Sequence, residues 1–127
     1  MSVILVIDDN PNMAQLLQEM VELSGYKTEV AYSGLDGLDK IAEGAPDLIL
    51  LDVSMPVMDG WEIYHKLRES SSVPVIFVTA HTSNEHKTKA AEIGADGFLD
   101  KNITPTELAQ QIQFVLEERA SKKRYIH

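Results

Sequence analysis

The segment LVIDDNPN, residues 5 to 12, determines how this sequence is interpreted. Its aliphatic start is typical of a strand buried on both faces, and Asp8 and Asp9 follow where that strand ends. Asn10 is a good helix N-cap and Pro11 suits the first helical position, so a helix begins directly after the acids. Two adjacent carboxylates repel each other, which leaves a solvated pair or, as the sharper hypothesis, a pair held for a cation.

Length and composition indicate one soluble globular domain. The chain has 127 residues, of which 44% are hydrophobic and 24% charged, and no apolar run approaches the length of a membrane helix. It contains no cysteine, which excludes disulfides and thiol catalysis and is compatible with the cytoplasm, the expected location. A net charge of -9 disfavours direct binding of nucleic acid, and we interpret the basic run at residues 122–124 as a solvated helix end.

Apolar runs rich in valine, isoleucine and leucine alternate with segments of helical periodicity. This pattern predicts an α/β fold, a doubly wound parallel sheet with helices on both faces, and a polar second strand at one edge. The predicted strands are Val3–Ile7, Lys27–Ala31, Asp47–Leu51, Val73–Val78 and Gly97–Leu99. The predicted helices run from Pro11 to a stop at Gly25, then over 34–43, 60–69, 84–93 and 104 to about 120. In the first helix, Met13, Leu16, Leu17, Met20 and Val21 form the predicted apolar stripe.

Polar residues follow the predicted strands at the edge where ligands of such sheets bind. They are Asp8, Asp9, Asp52, Thr79 and Lys101. A hard divalent cation with oxygen ligands, Mg2+ or Mn2+, would relieve the repulsion among the acids. Asp52 follows the apolar run LILL at 48–51, which suits a rigidly held carboxylate nucleophile. Lys101 and the cation could then neutralise a phosphoryl group on Asp52, and Thr79 could hydrogen-bond one of its oxygens.

The order and spacing of four motifs resemble the receiver domain of two-component response regulators. They are Asp8-Asp9, LLDVSMPVMDG at 50–60, VTA ending at Ala80, and Lys101, and the resemblance covers residue 3 to about residue 120. It implies a flavodoxin-like sheet of order 2-1-3-4-5. It also implies that Asp8, Asp9, Asp52 and the backbone carbonyl of Ser54 hold Mg2+, while Asp52 accepts phosphate from a histidine kinase or phosphotransfer protein.

The resemblance also implies how the phosphorylated state would be recognised. Thr79 and Phe98 would be the switch residues, acting on a face made by the fourth helix, fifth strand and fifth helix, where an unknown downstream protein or a second copy would bind. Because phenylalanine has no hydroxyl to desolvate, we expect an inward Phe98 rotamer even without phosphate. Phe114 lies off the stripe formed by Leu108, Ile112 and Val115, which makes it a candidate contact on that face.

Three positions depart from the family pattern or vary within the family. Asn102 follows Lys101 where the family usually has proline, commonly after a cis bond, so the sequence leaves the isomer of this bond open. Ser54 and His81 lie two residues beyond Asp52 and Thr79, at positions that flank the attacking water in the family. His81 could orient that water, shield the phosphoryl group or face solvent, so the lifetime of the phosphoryl group is not predicted.

Residues 1–120 are expected to form the receiver and residues 121–127 a basic tail too short for another module, which makes this a stand-alone, chemotaxis-type receiver. We expect a phosphoacceptor that assists its own phosphorylation and dephosphorylation, and not an enzyme in the usual sense. The alternatives are a degenerate receiver that binds proteins without phosphorylation and an aspartyl-phosphate phosphatase of the haloacid-dehalogenase type. The phosphatase class needs an acid where Ser54 stands. A dinucleotide-binding enzyme is disfavoured because the first strand leads into no glycine-rich turn.

Overall fold

Strands and helices alternate along the part of the chain that is described. The computed structural model describes residues 2–125, with side chains described for residues 2–122. The elements are β1 (Val3–Ile7), α1 (Pro11–Leu23), β2 (Lys27–Ala31), α2 (Gly34–Glu43), β3 (Leu48–Leu51), α3 (Gly60–Arg68), β4 (Val75–Thr79), α4 (Asn84–Glu92), β5 (Gly97–Asp100) and α5 (Pro105–Tyr125). The strands pair in parallel in the order β2-β1-β3-β4-β5. The doubly wound, flavodoxin-like fold with β2 at an edge is therefore confirmed.

Two apolar clusters cover the two faces of the sheet. Because side chains alternate along a strand, one set points to each face, and in the three central strands both sets are buried. One cluster joins α2, α3 and α4 to the sheet, with Phe77 and Trp61 among its largest members. The other joins α1 and α5 to the sheet through residues such as Leu17 and Ile112. This double coverage explains why the central strands are continuous apolar runs.

Most predicted boundaries are confirmed within one residue, and the differences at β3 and β4 have physical causes. Asp47 lies just before β3. Its side-chain carboxylate accepts the Val3 N–H at 2.7 Å, so a side chain makes the hydrogen bond at this end of the β1–β3 pair. β4 begins at Val75, two residues later than predicted, because Pro74 has no N–H and the Val73 carbonyl accepts from Arg68 at 2.6 Å. Local hydrogen-bonding chemistry therefore trims strands that an apolar pattern alone would extend.

Two expectations about the helices were wrong. Leu16 was placed in the buried stripe of α1 but is 46% exposed, while Ala14 is fully buried, so the stripe is rotated. α5 continues to Tyr125, beyond the end expected near Ala120. The basic tail expected over 121–127 remains a prediction, because the side chains from 123 onward lie outside the described part. Lys122, within that range, is exposed. No helix within the described range is long and apolar enough to cross a membrane.

Candidate functional site

Two acids are fixed by backbone hydrogen bonds just beyond the strands. The Asp8 N–H donates to the Ala31 carbonyl at 3.1 Å, and the Asp52 N–H donates to the Ile7 carbonyl at 3.0 Å. These bonds continue the pairing of β1 with β2 and β3 for one residue past its end. The two carboxylates therefore lie at the switch point of the strand order, where a crevice opens in doubly wound sheets.

Three carboxylates converge in this crevice. One oxygen from each of Asp8, Asp9 and Asp52 lies within 4.8 Å of the others. Asp8 is 1% exposed and Asp52 3% exposed, whereas Asp9 is open to solvent. The site thus has two buried acids with their backbones fixed and one exposed acid at its mouth. Such a set of oxygen ligands is suited to a hard divalent cation.

Lys101, which follows the edge strand β5, contacts both buried acids. Its Nζ lies 3.0 Å from Asp8 Oδ2 and 3.2 Å from Asp52 Oδ2. It follows β5, and its backbone N–H donates to the Thr79 carbonyl at 3.1 Å, which anchors it beside the end of β4. One ammonium therefore neutralises two carboxylates in part, and the cluster retains negative charge.

Burial and mutual repulsion set the ionisation of the site. Burial raises the pKa of the Asp52 carboxyl above its usual 3.8, and the nearby Asp8 raises it further, while the Lys101 ammonium acts in the opposite sense. Burial alone would lower the pKa of Lys101, yet its contacts with Asp8 and Asp52 prevail and raise it above 10.5. The lysine therefore stays charged, and Asp52 ionises less readily than an exposed aspartate.

The unsatisfied oxygen of Asp8 provides a test of whether a metal would fit. Asp8 Oδ1 accepts the Asn10 N–H at 2.9 Å, but Oδ2 is buried and accepts no well-directed hydrogen bond. Its close partner among the described residues is the Lys101 ammonium, 3.0 Å away, which Oδ2 shares with Asp52. A buried oxygen of this kind, beside two further carboxylates, fits an Mg2+ or Mn2+ ion.

The loop between β3 and α3 borders the site and carries backbone strain. Val57 has φ of +68°, a left-handed conformation that β-branched residues rarely adopt, and its side chain is 96% exposed. The Met58 N–H donates to the Pro56 carbonyl at 2.7 Å, which makes this a γ-turn. The Ser54 N–H donates to Asp52 Oδ1 at 3.4 Å. The role of the Ser54 carbonyl as a metal ligand remains a prediction.

Gly60, the first residue of α3, holds this loop against the segment that follows β3. Its N–H donates to the Val53 carbonyl at 2.8 Å, and Asp59 caps the helix by accepting the Glu62 N–H at 3.0 Å. A Cβ on Gly60 would lie 2.4 Å from the Asp52 carbonyl oxygen. The close approach of the two backbones therefore requires glycine.

Thr79 lies at the site but is already engaged in part. It is fully buried at the end of β4, and its Oγ1 accepts the His81 N–H at 3.1 Å. Its hydroxyl proton is still available to an acceptor in the crevice. The structure thus brings together Asp8, Asp9, Asp52 and Lys101 and places Thr79 next to them through the Lys101 backbone.

The remaining predicted residues lie near the β5 edge. Phe98 is half-buried and packs against the cluster that contains Phe77, its partner across the sheet. Phe114 is 58% exposed on α5. Among the described residues there is no cis peptide bond, so Lys101–Asn102 is trans, and the Asn102 N–H donates to Asp100 Oδ1 at 2.8 Å. Proline could not make that hydrogen bond.

A column of rings beside the site was not predicted from the sequence. Trp61 of α3 packs on Phe77 with centroids 4.7 Å apart, and the His86 ring of α4 stacks on Trp61 at 5.9 Å. The His81 ring follows at 6.0 Å from His86, and Lys89 Nζ lies 4.9 Å above the Trp61 ring. The single tryptophan of the chain was the available signal, but its partners lie 16 or more residues away in sequence.

Comparisons with known proteins agree with this geometry. The family model described as response regulator receiver domain matches residues 4–113. The chain is 38% identical over 120 residues to the transcriptional regulatory protein PcoR of Escherichia coli, covering 94% of this chain and 53% of that protein. It is 34% identical over 122 residues to the response regulator ArlR of Staphylococcus aureus, covering 96% and 56%. The chain therefore spans about half the length of these relatives.

Solved structures show the same similarity. A structure of the chemotaxis protein CheY4 of Vibrio cholerae superimposes with a TM-score of 0.84 at 33% identity, covering 91% of this chain and 98% of that one. A CheY-like receiver domain protein from Methanospirillum hungatei JF-1 gives a TM-score of 0.88 at 28% identity, covering 96% and 98%. The fold thus occurs in a set of proteins with one shared architecture.

Proposed function

Because the chain belongs to the response-regulator receiver domain family, we propose that it accepts a phosphoryl group on Asp52 from a histidine kinase or phosphotransfer protein. The observation that supports this most directly is the placement of Asp52. It is a carboxylate 3% exposed, with Lys101 Nζ 3.2 Å from its Oδ2 and two further acids within 4.8 Å. The family is not one of enzymes in the usual sense, and the protein would act as substrate and catalyst of its own modification.

In the transfer step, an Asp52 carboxylate oxygen attacks the phosphorus of a phosphohistidine. The P–N bond breaks, the electron pair returns to the donor imidazole, and an acyl phosphate forms on Asp52. Lys101 would pair with one phosphoryl oxygen and the Thr79 hydroxyl would donate to another. The Lys101 ammonium already contacts Asp52, and Thr79 lies at the end of β4 beside the Lys101 backbone, which supports these roles.

Asp8, Asp9, Asp52 and the Ser54 carbonyl would hold Mg2+ or Mn2+. The bound ion supplies positive charge that offsets the repulsion between the acidic crevice and an incoming phosphoryl group. Asp8 Oδ2, buried without a directed donor, is the oxygen most in need of such a ligand. Asp9, exposed at the mouth of the crevice, can reorient to complete the site.

We further propose that phosphorylation is recognised on the face of α4, β5 and α5 through Thr79 and Phe98. A downstream protein or a second copy of the chain would bind there, with Phe114 as a contact. Beryllofluoride, a phosphoryl mimic, should shift amide NMR signals of Phe98 and of α4 and α5. Shifts confined to the acidic crevice would contradict this switch.

A cytoplasmic location stays a prediction from the sequence. Nothing observed supports the alternative functions, a degenerate binding module or a phosphatase.

The proposed phosphotransfer is tested by incubating the protein with acetyl phosphate and Mg2+ and measuring intact mass. Wild type should gain one phosphoryl group that is labile in base, and Asp52→Asn should gain none. Asp39→Asn, which alters an exposed aspartate of α2, is the matched control and should label like wild type. Undiminished labelling of Asp52→Asn would show that the phosphoacceptor is another residue.

A further inference from the structure

We propose that His81 and His86 form a binding site for a divalent transition-metal ion such as Zn2+, Ni2+ or Cu2+, separate from the acidic crevice. Imidazole nitrogens suit these ions, whereas the carboxylates of the crevice suit harder ions such as Mg2+ and Mn2+. The inference concerns a second site with a different ligand, so it does not rest on the phosphorylation of Asp52.

The two histidine rings lie close enough to share one ion. His81 is in the loop after β4 and His86 is in the first turn of α4, and their ring centroids are 6.0 Å apart. Two imidazoles on one tetrahedral ion have centroids roughly 5 Å apart, because each metal–nitrogen distance is about 2.0–2.1 Å. The His81 side chain is exposed, so a small rotation of that side chain closes the difference.

The His86 ring is already oriented, as metal-binding imidazoles usually are. Its Nδ1 lies 2.8 Å from Ser83 Oγ, and the ring stacks on Trp61 with an interplanar angle of 17°. Trp61 is 8% exposed and packs on Phe77 of the central sheet, so the surface beneath His86 is firmly held. A partner on one ring nitrogen fixes the ring and leaves the other nitrogen, Nε2, for a metal ion.

The His81 ring supplies the second ligand. The His81 N–H donates to Thr79 Oγ1 at 3.1 Å, which holds the backbone near the end of β4, while no described hydrogen bond engages a nitrogen of the ring. Within the described part of the chain, no third histidine or carboxylate joins the pair. Water would therefore fill the remaining coordination positions.

The charges around the pair allow a cation to bind. Lys89 Nζ lies 4.9 Å above the Trp61 ring, and its positive charge opposes a bound ion. The Lys89 side chain is exposed, however, so solvent and salt screen it, and the net charge of -9 attracts cations to the protein. A bound ion would tie the loop after β4 to α4, a helix in which Ala90 is the buried residue.

The fluorescence of Trp61 tests the site, because this is the single tryptophan of the chain and it contacts the His86 ring. The protein is titrated with Ni2+, a paramagnetic quencher, with Mg2+ in excess to occupy the acidic crevice. A slightly alkaline buffer is used because metals bind the neutral imidazole. Wild type should show saturable quenching that EDTA reverses, and its absence would overturn the inference.

Three variants show whether the two rings are the ligands. His81→Ala and His86→Phe should each bind Ni2+ at least tenfold more weakly, since loss of a group that only orients a ligand already costs about 10–100-fold. His86→Phe keeps an aromatic ring on Trp61, and amide NMR spectra confirm that each variant is folded. His65→Ala, which removes an exposed histidine of α3, is the matched control and should bind like wild type. Undiminished binding in His81→Ala or His86→Phe would overturn the inference.

Asp9→Ala separates this site from the acidic crevice. Quenching by Ni2+ should be unchanged in this variant, and its loss would place the ion in the crevice and overturn the inference. In NMR spectra, Ni2+ should also broaden the ring-proton signals of His81 and His86 more than those of His65. Broadening that is strongest at His65 would contradict the proposed pair of ligands.

Discussion

Replacing Gly60 by alanine should damage both the fold and the proposed phosphoacceptor, Asp52, because the added Cβ meets backbone. The Cβ would lie 2.4 Å from the Asp52 carbonyl oxygen and 2.8 Å from Val53 Cα, and real contacts essentially never fall below 3.0 Å. The flexible end of a side chain could move aside, but these atoms belong to the segment that positions Asp52. The loop or α3 must therefore shift.

The magnitude follows from two opposed contributions. Forcing an extra methyl group into a packed site costs roughly 1–3 kcal/mol. Restricting the unfolded chain by replacing glycine returns about 0.4–1 kcal/mol. Gly60→Ala should therefore lower the free energy of unfolding by about 1–2 kcal/mol. Since the displaced atoms belong to Asp52 and its neighbour, phosphorylation by acetyl phosphate should also slow by on the order of tenfold.

Gly44→Ala is the matched control for this prediction. Gly44 has an extended backbone, and a Cβ there would meet nothing within 4 Å, so only the unfolded-chain term of about 0.4–1 kcal/mol remains, and it stabilises. Urea unfolding measures both variants, and equal m-values would show that the comparison is valid. A Gly60→Ala protein as stable as Gly44→Ala, with a normal labelling rate, would refute the steric argument.

Mg2+ at about 100 times its dissociation constant should stabilise the fold by about 2.7 kcal/mol, and Asp9→Ala should lose much of this gain; a melting temperature unchanged by saturating Mg2+ would contradict the metal site. The pKa of Asp52 is higher in the folded protein than its usual 3.8, so ionisation of Asp52 destabilises the fold. Without metal, the wild type should therefore lose stability relative to Asp52→Asn as the pH rises from 3.8 through the folded pKa. A stability difference that stays constant across an acid pH series would contradict this. Val57→Asn should stabilise by about 1 kcal/mol in thermal unfolding, because asparagine tolerates positive φ, whereas Val57→Ala should not; equal effects of the two would show that the turn is unstrained.

Where local chemistry dominates, the sequence predicted the structure well. The ends of β1 follow from its apolar run, and the start of α1 follows from Asn10, whose side chain accepts from the Asn12 and Met13 N–H groups. The acidic site was also predictable, because parallel strands bring their carboxyl ends to one edge. Asp8, Asp52 and Lys101 each follow a strand, so topology places them together although 93 residues separate the first from the last.

Features that depend on contacts between helices were not predictable. Trp61, His86 and Lys89 lie on two helices, and no local pattern states that their side chains share one surface. The end of α5 was missed because residues 117–125 are polar and contain neither glycine nor proline to stop a helix. The strain at Val57 was hidden for a related reason, since valine is not a residue that predicts positive φ.

The strand order has a consequence for how the chain is made. β1 is synthesised before the other four strands but lies between β2 and β3, and the apolar face that it shares with α1 is completed by Leu108, Ile112 and Val115 of α5. While the α5 segment is still inside the ribosome, the nascent chain would therefore expose part of that face. We expect folding to be completed only after synthesis of the last helix, and ribosome-bound intermediates to be targets for chaperones.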